Sequence, residues 1–340
     1  HSVALYEEVS DRWGLARALA DLGWMAEHLG RYCEARELCE RSLAIRRELG
    51  DERGMADAML TLGIVSWVQG RLDEAHRLLR ESLGIYRALD DWNRVAHTLK
   101  SLGEVLVRRG QFEDGLALME SSRDIYGDLG HRYGAQGLLP FLAESHVHLG
   151  LYQEARAGIQ QETEILRQTN HLWTVAFADF VNGLAVLAEG VCHEAVGLFQ
   201  ASATAFQELQ HPENRAWVLG PLGLAAHGTG DAVLARRSVV DALEIGIDLG
   251  AFMPVMYGLP AAALLLADQG AIERAVEVYA CASRYGFVAN SRWFEDVVGH
   301  RTNETAATLP AEAVASARMR GQAQAWDAMA AQCLTELKDN

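Results

Sequence analysis

"GRLDEAHRLL", Gly70 to Leu79, is a phrase the chain writes more than once. Forty residues earlier it reads "GRYCEARELC", and forty residues later "GQFEDGLALM". Glycine recurs at Gly30, Gly70, Gly110, Gly150, Gly190, Gly230 and Gly270, always 40 residues apart. A fixed period of this size announces an array in which each unit buries its apolar face on its neighbours. A second series falls at Gly50, Asp90, Gly130, Asn170, Gln210 and Gly250. Most of these residues tolerate the left-handed conformation that ends a helix. Two stop signals per unit leave room for two helices of about 16 residues each.

The packing positions follow the same period. Before the first stop stands "LG", as Leu22-Gly23, Leu62-Gly63, Leu102-Gly103 and Leu222-Gly223, with degraded copies at Leu142-Ala143, Asn182-Gly183 and Ala262-Ala263. After it stands a small residue: Ala35, Ala75, Gly115, Ala155, Ala195, Ala235 or Ala275. Small residues on both helices let the backbones approach, and a large one would overpack the crossing at roughly 1–3 kcal/mol. Tyr32, Leu72, Phe112, Tyr152, Cys192, Ala232 and Ile272 fill the space beside the turn. Leu38, Leu78, Leu118, Leu198 and Val278 continue the buried stripe at helical spacing.

The combination of "LG" with "GRYCEA", "GRLDEA", "GLYQEA" and "GVCHEA" resembles the tetratricopeptide repeat. The period is longer than that repeat's usual 34 residues, as in the lengthened variant of kinesin light chains and of bacterial signalling proteins. The resemblance implies an all-α, right-handed superhelical solenoid. It predicts seven repeats over 11–283: 11–50, 51–90, 91–130, 131–170, 171–210, 211–250 and 251–283. "VALYEEVSD" (Val3 to Asp11) matches "LAIRRELGD" (Leu43 to Asp51), so residues 1–10 read as the end of a preceding repeat in a longer protein.

Residues 284–340 contain no further copy and read as a helical cap, with a polar outer face as an array end requires. Ser291 suits the start of a helix "RWFEDVV", Pro310 the first turn of the next, and "QAWDAMAAQCLTEL" a last amphipathic helix. "ASARMRGQAQAWDAMAAQCL" resembles the end of the repeat arrays in bacterial signal-transduction ATPases with a nucleotide-switch module, relatives of the maltose-regulon activator. That likeness implies the sensor part of a transcriptional or signalling regulator, coupled to an upstream ATPase.

Charge and composition narrow the classes. The chain has 30 basic and 46 acidic residues, a net charge of −16. So acidic a surface disfavours DNA, RNA and anionic membranes, whose phosphates require a positive face. Cys33, Cys39, Cys192, Cys281 and Cys333 are odd in number and include no CxxC pair, which argues against a disulfide scaffold or zinc site and for a reducing cytoplasm. No apolar run spans a bilayer. There is no phosphate loop, nucleophile elbow or HExxH, so the chain reads as a non-enzyme without cofactor. In "ESHVH", Glu144 and His148 share a helix face, but no third ligand stands at a recognisable spacing, and a polar patch is the plainer reading.

In tetratricopeptide arrays the first helix of each repeat lines the concave groove. Counting from the "LG" pair, the resemblance places Trp24, Ile64, Trp67, His97, Lys100, Glu104, Phe177, Phe180, Trp217 and Tyr257 on that face. Glu144 and Leu184 fall there too. Aromatics in a concavity are favoured anchors. His97, Lys100, Glu104 and Arg108 make the middle polar, which suits an elongated ligand with a charged centre. The alternative is that longer helices shift the register and bury the aromatics, or that a tight superhelix joins them as core. Pro140 and Pro260 are expected to kink their helices and widen the groove. A peptide, protein or small-molecule inducer is the expected partner, and a constitutive protein–protein scaffold is the alternative.

Overall fold

The computed structural model describes residues 5–6, 8–168 and 171–339, the side chains of 161–168 excepted. Asn170 and half of the opening segment 1–10 therefore lie outside the described residues. The chain is all-α, and the described residues contain no strand. Helices follow one another in pairs: α1 (Arg12–His28) and α2 (Tyr32–Leu49), α3 (Glu52–Val68) and α4 (Leu72–Ala88), α5 (Trp92–Arg108) and α6 (Phe112–Asp128). The fourth first helix is divided into α7 (Arg132–Gly137) and α8 (Leu139–His148), followed by α9 (Tyr152–Gln168). Then come α10 (Leu172–Ala188) and α11 (Cys192–Glu208), α12 (Pro212–Thr229) and α13 (Ala232–Leu249), α14 (Phe252–Asp268) and α15 (Ile272–Ala282).

Among the described residues, both stop series end helices as their residue types suggest. The seven glycines of the first series have φ between 72° and 83°. In the second, Asp90 and Gln210 hold φ at 51° and 58°, a left-handed cost that glycine avoids at Gly50, Gly130 and Gly250. The chain re-enters hydrogen bonding at once, with Arg31 N–H donating to Ala26 O at 2.8 Å and Arg71 N–H to Ser66 O at 2.8 Å.

The small residues sit where each pair crosses. A Cβ on Gly103 would lie 2.8 Å from Gly115 O, and one on Gly223 would lie 3.1 Å from Ala235 O. A serine clamp accompanies this contact. Ser42, Ser82, Ser122 and Ser202 donate from the second helix to Ala16 O, Ala56 O, Ala96 O and Ala176 O at 2.7, 2.9, 2.7 and 2.7 Å. Positions 162 and 242 hold Glu and Ala, so the clamp is not universal. A polar bridge between successive pairs also recurs. Arg36 reaches Gln69 and Glu74, both at 3.1 Å, and Arg156 reaches Glu189 and Glu194, 120 residues later, at 2.6 and 3.5 Å.

The chain forms two compact units: His1–Leu106 with Asp114–Ala135, and Val107–Glu113 with Gln136–Asn340. In the second, the helix is interrupted at Leu138, two residues before Pro140. Pro260 lies inside its helix, and α14 runs on past it as a continuous helix. Every residue from Phe252 to Leu266 is buried, and that packing outweighs the hydrogen bond proline removes.

The tail folds into α16 (Gly286–Ala289), α17 (Arg292–Phe294), a π-helical turn (Glu295–Gly299), α18 (His300–Ala306), α19 (Ala311–Ala323) and α20 (Trp326–Asp339). Ser291 Oγ accepts from Phe294 N–H at 3.2 Å and so caps α17, and Pro310 stands immediately before α19.

Candidate functional site

In the first unit the first-helix face stays partly open. Trp24 is 55% exposed, and its ring centroid lies 4.2 Å from that of His28. Ile64, His97 and Lys100 are partly exposed. Lys100 Nζ lies 3.6 Å from Glu104. Desolvation, then the charges of Lys100 and Arg94, push the His97 imidazole down to about 3, so it stands neutral. Trp67 and Glu104, expected in the groove, are instead buried, at 6% and 7% exposure.

The second unit overturns the expectation of a wet groove. Phe177, Phe180 and Tyr257 are fully buried and Trp217 nearly so. Phe177 lies 5.7 Å from Phe180 and 6.0 Å from Trp217, and Phe180 lies 5.7 Å from Tyr257. The cover is the chain's own segment Tyr285–Phe294. Phe287, Trp293 and Phe294 pack on Tyr257 at 5.5, 5.9 and 5.5 Å between centroids. Trp293 Nε1 donates to Leu184 O at 2.8 Å, on a position assigned to the groove. Asn290 Nδ2 donates to Gly110 O at 3.2 Å. Gly286 lies so close to the same turn that a Cβ on it would stand 2.1 Å from Arg109 O. The start of the tail thus acts as core rather than as an end cap alone. Tyr257 joins the core because this cover, absent from the repeat phrase, lies over it, and Phe180, Phe177 and Trp217 pack ring to ring in succession behind it.

Beneath this segment lies a chain of buried polar groups. Arg108 donates to both oxygens of Glu144, at 2.6 and 3.0 Å. The guanidinium carbon also lies 5.3 Å from the rings of Trp217 and Phe287. Tyr257 O–H donates to Glu144 Oε1 at 3.5 Å. His148 meets Tyr257 Oη through Nε2 at 3.3 Å and Ser291 Oγ through Nδ1 at 2.8 Å. Burial first, and Arg108 second, hold the His148 imidazole well below its ordinary value. Burial, then the Glu144 charge, hold the Tyr257 phenol well above its own. A neutral His148 lets one direction of donation satisfy the chain: Ser291 O–H to Nδ1, Nε2–H to Tyr257, Tyr257 O–H to Glu144. Such a network orders a core and presents no reactive group to solvent. The Glu144–His148 pair is likewise committed, because Arg108 takes both carboxylate oxygens. No group of three His, Cys, Asp or Glu that could hold a metal occurs among the described residues. No helix among them is long and apolar enough to cross a membrane.

The family model for the tetratricopeptide repeat matches residues 14–88 and 54–128. Residues 14–128 carry tetratricopeptide repeats. Their phrase is the one that recurs, with degraded copies, further along the chain. The structure of a Rap protein complexed with Competence and Sporulation Factor is similar over 95% of this chain and 99% of that one, with a TM-score of 0.63 at 14% identity. The apo form of RapI is similar over 71% of this chain and 86% of that one, with a TM-score of 0.60 at 12% identity. At such identities the likeness is one of fold. No curated protein sequence matches the chain.

Proposed function

We propose that the chain is a non-catalytic recognition array whose ligand docks on the first-helix face of the first unit. The observation that carries this reading is the contrast at the aromatic positions. Trp24 stands 55% exposed on that face, while Phe177, Phe180, Trp217 and Tyr257 are consumed as core. A large, rigid aromatic left in water is an anchor of the kind that dominates recognition surfaces, and His97 and Lys100, two repeats on, are partly exposed as well. The Rap protein of similar fold was solved in complex with Competence and Sporulation Factor, which favours a partner of peptide or protein type here. With the tail's resemblance to nucleotide-switch regulators, this supports a cytoplasmic sensor within a larger bacterial regulator, its seven repeats (11–283) receiving the ligand. A constitutive scaffold would use the same face without signalling.

Native mass spectrometry after incubation with lysate of the host tests this reading. A discrete adduct that Trp24→Ala and Lys100→Glu both abolish, with helix content unchanged, supports it. An adduct that survives both substitutions removes the ligand from this face.

A further inference from the structure

A recess lies on the second unit. The last turns of α12, α14 and α20 and the first turns of α13 wall a cleft of about 800 Å³. That is within the range of small-ligand sites, roughly 300–1,000 Å³.

Its floor departs from the repeat. At the position of Val233 the other copies carry Cys33, Asp73, Glu113, Gln153, His193 and Glu273. At the position of Val240 the first five copies carry Glu40, Arg80, Glu120, Gln160 and Gln200. Helix α20 packs on α13 and Val240 is half-buried, but Val233 remains 81% exposed. Arg237 lies between the two valines on the same helix face and is itself exposed. An aliphatic surface has thus replaced a polar one at the place where the cleft opens.

Its charge also departs from the chain. In a protein of net charge −16, the cleft is lined by Arg236, Arg237 and Lys338 against the single carboxylate of Asp268. Asp268 is already paired with His227, whose Nδ1 faces Arg301 at 3.3 Å. Lys338 pairs with Glu244 at 2.8 Å, and Arg236 Nε donates to Leu337 O at 2.7 Å. The ends of α12 and α14 that meet here are closed in part by their own turns, with Asp231 N–H donating to Ala226 O at 3.0 Å and Ala271 N–H to Leu266 O at 3.0 Å. A cationic wall over an aliphatic floor fits a ligand that is apolar in body and anionic at one end.

We propose that this cleft binds a small amphipathic organic anion, its apolar body against Val233 and Leu265 and its charged group at Arg237 and Lys338. The test uses the full chain with 1-anilinonaphthalene-8-sulfonate as fluorescent probe and decanoate as competitor. Saturable probe binding displaced by decanoate, and weakened about tenfold or more by both Arg237→Glu and Val233→Asp, supports the site. Both residues are exposed, so circular dichroism and the thermal transition should stay those of the parent. Equal displacement by decylammonium overturns the anion assignment. Absence of displacement by decanoate, or parental affinity in both variants, overturns the site.

Discussion

Arg108 and Glu144, 36 residues apart, are buried together and joined by two hydrogen bonds of 2.6 and 3.0 Å. A charge left in that core without its partner has no water to turn to. Glu144→Ala should therefore destabilise the protein by about 3–5 kcal/mol, whereas Arg108→Met with Glu144→Leu should recover most of that loss. Urea denaturation of both variants checks this. A double variant as unstable as the single one would mean that the pair itself, and not the unpaired charge, sets the cost.

Two helical glycines should respond oppositely to one methyl group. A Cβ on Gly103 meets Met119 at 2.6 Å and the Gly115 carbonyl at 2.8 Å, and backbone cannot yield cheaply. Gly103→Ala should cost about 1–3 kcal/mol. Gly84 has nothing within 4 Å, so Gly84→Ala should stabilise by about 0.5–1 kcal/mol through the helix interior it completes. Thermal melts of the two variants should move apart.

Acid should weaken the fold through His148. Its folded pKa lies well below the ordinary 6.5, so between the two values the unfolded chain binds the extra proton. The contribution is complete above pH 6.5 and is lost as pH falls toward the folded value, with a slope of about 1.4 kcal/mol per pH unit. His97, pushed down to about 3, acts in the same direction. His28 acts oppositely. The Glu27 hydrogen bond raises it, so its contribution is present at low pH and lost as pH rises through its folded value. His148→Gln should flatten the decline in stability between pH 6.5 and about 5. An unchanged slope would mean that His148 is not held neutral.

Thiol chemistry should discriminate among the five cysteines. Burial pushes the thiols of Cys39, Cys281 and Cys333 up to about 12, 11 and 12, while Cys33 is exposed and Cys192 partly so. Dithionitrobenzoate should label Cys33 first under native conditions and all five only after denaturation, and Cys33→Ser should remove the fast phase. Early native labelling of Cys281 would show that the tail opens, since Cys281 Sγ lies 3.7 Å from Gln324 O.

The helical pairs were legible because their signals are local and repeated. A left-handed residue at Gly70 and a small residue at Ala75 do the same task 40 residues on, so degraded copies could be read against good ones. The serine clamp was equally legible in principle, since Ser42, Ser82 and Ser122 keep the period, but a lone hydroxyl at a helix crossing has no distinctive pattern. Of the groove, the face was legible and its exposure was not: Trp24 is open while Trp217 is covered.

The amino-acid sequence by itself determined the all-α class, the two stops per unit and the residues at each helix crossing, because backbone conformation and close approach depend on residues near in the chain. Only the tertiary structure decided that Phe177, Phe180, Trp217 and Tyr257 are core. Phe287, Trp293 and Phe294 cover Tyr257, and the bond from Trp293 to Leu184 O spans 109 residues. That segment lies outside the period, so nothing repeated announces it. Periodicity assigns a side chain to a face, and burial depends on which distant part of the chain lies over that face.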